Sequence, residues 1–228
     1  GNVRNGNYNI PVIKILNNNG VSEIYAGIAG GYLSDAQTFM GVNQVGLYKS
    51  TDGTNFVRLN SLMVNSLRGY DVQDIEIGSD NSIWVSTRRS YYGENSGGKI
   101  FKSTDNGLTF SKVYDVGNLS SRVMIEISET NPNKVYGLMQ GANNSEPLRI
   151  VKTTDGGSTW ISTNVSGSGI TLPKPIDTGQ PANDFTRGQA FYDLVIETDP
   201  TNDDHLYVGG IDSYKSTNGG STWTQYTK

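Results

Sequence analysis

The 228-residue chain has no cysteine and a single histidine. The first absence excludes disulfides and thiolate metal centres, and it leaves the redox compartment open. The second excludes a multi-histidine centre, so no metal is expected; His205 sits in a turn and is given no role. No motif calls for a cofactor, and none is expected. No apolar run approaches the roughly 20 residues with which a helix spans a bilayer. No charged-then-apolar leader is present, so an export signal would lie outside this stretch. Lys and Arg number 18 against 22 Asp and Glu, a formal charge of −4 with no basic run, which makes nucleic acid a poor partner. Long helical periods with caps are missing as well.

What is present is turn and strand chemistry: 28 Gly, 13 Tyr and many Asn, Ser and Thr, the balance of an all-β protein. One stretch, Ser103-Thr104-Asp105-Asn106-Gly107-Leu108-Thr109-Phe110, recurs. Its other copies are Ser50-Thr51-Asp52-Gly53-Thr54-Asn55-Phe56, Thr153-Thr154-Asp155-Gly156-Gly157-Ser158-Thr159-Trp160 and Ser216-Thr217-Asn218-Gly219-Gly220-Ser221-Thr222-Trp223. Each copy closes a unit with three period-two segments before it, as in Asp74-Ile75-Glu76-Ile77, Ile83-Trp84-Val85-Ser86 and Ile100-Phe101-Lys102-Ser103, and its aromatic is expected to open a fourth strand. A four-stranded unit recurring at about 50 residues fits a β-propeller blade. The expected blades are 10–60, 71–116, 121–165 and 190–228, with an insertion at 165–189. Four blades are few for a closed ring, so a segment of a larger propeller is expected. Connections at the end bearing the repeated motif are short. Those at the opposite end are long (30–46, 60–70, 88–98, 140–148 and 165–189), which points to that end as the binding face.

The pattern Ser/Thr-x-Asp-x-Gly-x-Thr-Trp/Phe resembles the Asp-box, or BNR repeat, of sialidases, xyloglucanase-type glycoside hydrolases, sortilin-like receptors and secreted bacterial propellers. The resemblance implies the propeller fold strongly and an activity weakly, because that family spans enzymes and receptors. The Asn-rich style and the phrase from Thr198 to Asp203 look like exported Bacteroidetes-type proteins, which implies an extracellular or cell-surface location. The motif itself reads as structural. Asp52, Asp105 and Asp155 would accept backbone N–H groups in a tight turn, and Phe56, Phe110, Trp160 and Trp223 would plug the blade core. The first copy is one residue shorter, and Asn218 replaces the acid in the last; both departures suit a turn and not shared chemistry.

Candidate sites lie elsewhere. Lys14, Glu76, Glu126 and Glu197 hold equivalent first-strand positions and would ring a central channel, as a polar-ligand site or as a solvated wall. Arg88, Arg89, Tyr91, Tyr92 and Glu94 crowd one long loop, a composition suited to carbohydrate or protein. Asp184, Phe185, Arg187, Gln189, Phe191 and Tyr192 close the largest insertion at the same end, and Tyr32 with Asp35 would join them. Lys49, Lys102, Lys152 and Lys215 recur before the motif and read as solvated edge lysines. The expected function is an exported scaffold binding carbohydrate or protein on its long-loop face. The alternatives are part of a sialidase- or xyloglucanase-like hydrolase and a structural segment of a cell-surface protein. A hydrolase needs two carboxylates about 5–10 Å apart, and no spacing in the long loops singles out a catalytic residue.

Overall fold

The computed structural model describes residues 9–32, 39–40, 44–89, 97–141, 147–163, 165–166, 169–170 and 184–227. Alternating Val, Ile and Tyr produce the expected pleated segments, and they pair in chain order into four antiparallel sheets of four strands. Blade 1 runs Asn9–Asn18, Val21–Ala29, Gly46–Ser50 and Val57–Arg58, and blade 2 runs Val72–Ile77, Ile83–Thr87, Lys99–Ser103 and Ser111–Asp115. Blade 3 comprises Ser120–Ile127, Val135–Gly141, Pro147–Thr153 and Ile161–Thr163. Blade 4 comprises Val195–Asp199, Asn202–Gly209, Ser213–Ser216 and Thr224–Thr227. The first hairpin closes on Asn19-Gly20, both at positive φ (52° and 86°), which matches the twist of the flanking strands. Two short ribbons, Gly31–Tyr32 with Phe39–Met40 and Val165–Ser166 with Gly169–Ile170, decorate the long connections.

One strand boundary differs from expectation. Phe56, Phe110, Trp160 and Trp223 stand just before their fourth strands, because the aromatic belongs to the turn that the motif carboxylate or amide ties together. Their burial is also graded: Trp223 is buried, Phe110 and Trp160 are partly buried against core clusters, and Phe56 is exposed. Plugging the core is therefore not a property of every copy.

The core lies between blades and not within them. One cluster joins Leu16, Tyr25 and Leu47 of blade 1 to Ile75, Val85 and Phe101 of blade 2. A second joins Trp84 and Ile100 to Val123, Ile125 and Val151 of blade 3. A third joins Tyr136, Leu138 and Ile150 to Ile196, Leu206 and Trp223 of blade 4, with Phe185 and Leu194 of the preceding connection. Close approach is required: a Cβ on Gly27 would stand 2.5 Å from Val72 of the next blade, so only glycine fits that strand position.

Candidate functional site

The repeated motif builds a turn in every copy, with the same bonds at Asp105 and Asp155 and with variations in the other two. Asp105 Oδ1 accepts the Thr109 N–H at 2.9 Å and the Ser103 hydroxyl at 2.7 Å, while Oδ2 accepts the Thr109 hydroxyl at 2.5 Å. Asp155 repeats this with Thr159 and Thr153. Asn218 keeps the acceptor toward the Thr222 N–H (2.9 Å) and turns its amide to the Thr222 hydroxyl. Asp52, in the shorter copy, takes the Asn55 and Thr54 N–H groups instead. These donors hold the Asp105 and Asp155 carboxyls at about 2, and they depress Asp52 further. Every oxygen is thus engaged in the turn, which is a structural joint.

The lysines before the motif are not edge lysines. Each faces the aromatic opposite it on the second strand: Lys49 over Tyr25, Lys102 over Trp84, Lys152 over Tyr136 and Lys215 over Tyr207, at 4.8–5.9 Å from the ring centroid. Lys102 Nζ also donates to the Gly156 carbonyl in the turn of the next blade, at 3.1 Å. Packing on the cross-strand aromatic, common to all four, explains the recurrence better than solvation does.

At the blade axis, Lys14, Glu76, Glu126 and Glu197 line one cavity of about 420 Å³, together with Ser79, Ser128 and Glu129 of the short turns. Lys14 Nζ meets Glu76 at 2.8 Å. Glu126 Oε1 accepts the Thr198 hydroxyl (2.7 Å) and N–H (3.2 Å) of blade 4. Beside them Asp74 Oδ2 accepts the Ile125 N–H of blade 3 at 3.1 Å. Burial raises all three carboxyls, Glu76 and Glu126 to about 7 and Asp74 to about 6, against the pull of Lys14 or of N–H donors. These acids stitch one first strand to the next. Among the described residues no group of acids or histidine is arranged to hold a metal ion.

The long-loop end is organised by a residue the sequence reading passed over. Arg88 forms an antiparallel bridge with Arg122 of blade 3, and the Arg89 N–H donates to the Ser121 carbonyl at 2.6 Å. Arg122 is buried, and its guanidinium donates to the carbonyls of Phe191 (2.6 Å) and Leu194 (3.3 Å). Burial, with the Arg88 charge beside it, lowers Arg122 to about 10. Arg122 thereby joins the Arg88–Arg89 segment to the 184–194 segment. An isolated Arg in an alternating strand carries no spacing signal, which is why it escaped notice.

Residues 184–194 form a fixed arch. Asp184 is buried and accepts the Thr186 N–H and hydroxyl and the Gly188 N–H at 2.6–3.0 Å, which makes it a turn former. Arg187, in the left-handed region at φ 50°, grips buried Asp212 through two bonds of 2.7 and 3.0 Å. Phe185 anchors the arch against Tyr214 in the core. On this support Phe191 and Tyr192 stand 54% and 77% exposed, with Gln189 also exposed. Tyr91, Tyr92, Glu94 and Asp35 lie outside the described residues. The backbone of Tyr32 pairs with Phe39 in the small ribbon.

Four consecutive antiparallel four-stranded blades, packed face to face, define the chain as an all-β protein of propeller type. Solved propellers match it. A GH74 xyloglucanase from Xanthomonas campestris is similar over 88% of this chain and 27% of its own, with a TM-score of 0.59 and 16% identity. An ancestral GH74 enzyme is similar over 98% of this chain and 24% of its own (TM-score 0.63, 18% identity). YCF48 from Cyanidioschyzon merolae is similar over 98% of this chain and 57% of its own (TM-score 0.59, 14% identity). The chain spans about a quarter of the length of the GH74 enzymes it matches. No family model matches the chain, and no curated protein matches it. Identities this low speak for the fold alone.

Proposed function

We propose that the chain is part of an exported, Asp-box-type β-propeller scaffold that holds a carbohydrate or protein ligand on its long-loop end. The observation that carries this reading is the 184–194 arch, which spends a buried Arg, a buried Asp and a bidentate Arg–Asp pair on displaying two aromatic side chains to solvent. Large aromatics on a hydrogen-bonded support offer contact area with few torsions to fix, the usual basis of a binding hot spot. Arg122 connects the Arg88–Arg89 segment to this arch through the carbonyls of Phe191 and Leu194. The fold shared with GH74 xyloglucanases raises hydrolysis as the second reading. Of the described acids at this end, Asp71 accepts the Gly30 N–H, Asp184 is held within its turn and Asp212 by Arg187, while Asp193 Oδ1 is buried without a hydrogen-bond partner and burial raises its carboxyl.

A glycan array followed by calorimetry, run beside a hydrolysis assay on xyloglucan and sialosides, tests both. Binding should appear without turnover, and Phe191→Ala with Tyr192→Ala should weaken it at least tenfold while leaving the melting temperature unchanged. Turnover, or a ligand whose affinity ignores both substitutions, would overturn the reading.

A further inference from the structure

Asn19-Gly20, Asn106-Gly107 and Asn218-Gly219 are Asn-Gly pairs among the described residues; a fourth, Asn5-Gly6, lies outside them. Asparagine before glycine is open to one spontaneous reaction. The glycine backbone nitrogen gives its proton to solvent hydroxide and attacks the asparagine side-chain carbonyl carbon. The new C–N bond closes a cyclic imide, and the side-chain nitrogen leaves as ammonia, taking a proton from water. A water molecule then opens the ring, and the residue becomes aspartate or, when the backbone carbonyl is the one attacked, isoaspartate. Glycine favours the step because no Cβ stands in the path of the attacking nitrogen. A glycine N–H that is buried and bonded is a poor nucleophile.

The repeated turn blocks this reaction at both of its pairs. Gly107 is buried, its N–H donates to the Ser103 hydroxyl at 2.9 Å, and the Asn106 carbonyl accepts the Tyr25 hydroxyl of blade 1. Gly219 is buried as well, and its N–H donates to the Asp204 carbonyl at 2.8 Å. The Asn218 side chain is fixed at both of its polar atoms: Oδ1 accepts the Ser216 hydroxyl and the Thr222 N–H, and Nδ2 donates to the Thr222 hydroxyl. At neither pair can the nitrogen lose its proton and attack without undoing the turn.

The first hairpin offers no such cover. Asn19 and Gly20 are both exposed, and a Cβ on Gly20 would meet nothing within 4 Å. The Gly20 N–H donates to Asn17 Oδ1 at 2.8 Å, but Asn17 is an exposed side chain that water can replace. Blade 2 has a neighbour on each side, and its own first hairpin exposes Asn81 in the same left-handed region (φ 63°). Exposure therefore belongs to the hairpin and not to the place of blade 1 in the chain. Asn81 is followed by Ser82, which is buried and donates its N–H to Asp80 Oδ1, so that hairpin lacks the reactive pair.

We infer that Asn19 is a site of spontaneous deamidation, converting with age to aspartate and isoaspartate, while the repeated turn protects Asn106 and Asn218. Isoaspartate routes the backbone through the side-chain carbon. It adds a methylene to a loop that Asn18, paired with Val21, closes over two residues. Either product also places a negative charge next to Asn18, whose amide donates to Glu23 Oε1 at 3.1 Å.

Peptide mapping by mass spectrometry, on the unaltered protein aged at mildly alkaline pH, follows each pair as its amide becomes an acid. In the folded protein Asn19 should convert at least tenfold faster than Asn106 and Asn218, and an isoaspartyl carboxyl methyltransferase should label the Asn19 peptide. In urea the three rates should converge to within a few-fold, because each asparagine precedes a glycine and no turn remains. Equal rates in the folded protein, or Asn106 or Asn218 ahead of Asn19, would overturn the inference. A tenfold spread that persists in urea would overturn it equally, since the turn would then have no part in setting the rates.

Discussion

In three of the turns a glycine (Gly107, Gly157, Gly220) lies against the preceding blade, and its missing side chain does two jobs. Gly157 adopts φ 96°, a region that L side chains rarely enter, and a methyl there would stand 3.1 Å from both Trp84 and Val113. Gly117 also has positive φ (64°) but faces open space. Gly157→Ala should therefore lose roughly 2–4 kcal/mol against roughly 1 kcal/mol for Gly117→Ala, since only the first adds a clash to the backbone strain. Urea denaturation of the two variants measures the difference. Equal losses would mean that the turn tips touch the preceding blade without depending on it.

At the scale of elements, the arch is expected to open separately from the blades. Removing the guanidinium in Arg187→Ala leaves the buried Asp212 carboxylate without its ion-pair partner, a loss on the order of 2–4 kcal/mol. Hydrogen exchange should then quicken across 184–194 while Val72–Ile77 and Ile83–Thr87 keep their protection. Uniform acceleration throughout the chain would show that the arch is no separate unit. Strand positions were legible in the sequence because period-two alternation is a local signal: Asp74-Ile75-Glu76-Ile77 announces a strand without knowledge of its neighbours. The equivalence of Lys14, Glu76, Glu126 and Glu197 was legible for the same reason, and the four line one cavity. Arg122 was not, because its meaning lies in carbonyls roughly 70 residues away, at Phe191 and Leu194. The recurring lysines were visible as a pattern and misjudged in role, since the aromatic that each covers belongs to another strand and the carbonyl that Lys102 reaches belongs to another blade.

Across the whole molecule, two sets of carboxyls pull the pH optimum in opposite directions. Asp105 and Asp155, held at about 2 by donors within their turns, contribute stability that is present above pH 4 and lost as pH falls toward 2. Asp74, Glu76 and Glu126 sit between blades and are raised to about 6–7, chiefly by burial. The folded protein binds their protons more tightly than the unfolded chain does. Their contribution is therefore full below about pH 4 and declines as pH rises to 7. The melting temperature should accordingly peak near pH 4–5 and fall toward pH 8, the reverse of a protein governed by salt-bridged acids. Glu126 isolates the effect, because Glu126→Gln keeps an acceptor for the Thr198 donors and cannot ionise. At pH 8 this variant should be more stable than the unaltered chain, by on the order of 1–3 kcal/mol, and at pH 4.5 the two should melt together. Calorimetry at both pH values decides it. A variant less stable at pH 8 would mean that Glu126 is held ionised and that the axial acids clasp the blades as charges.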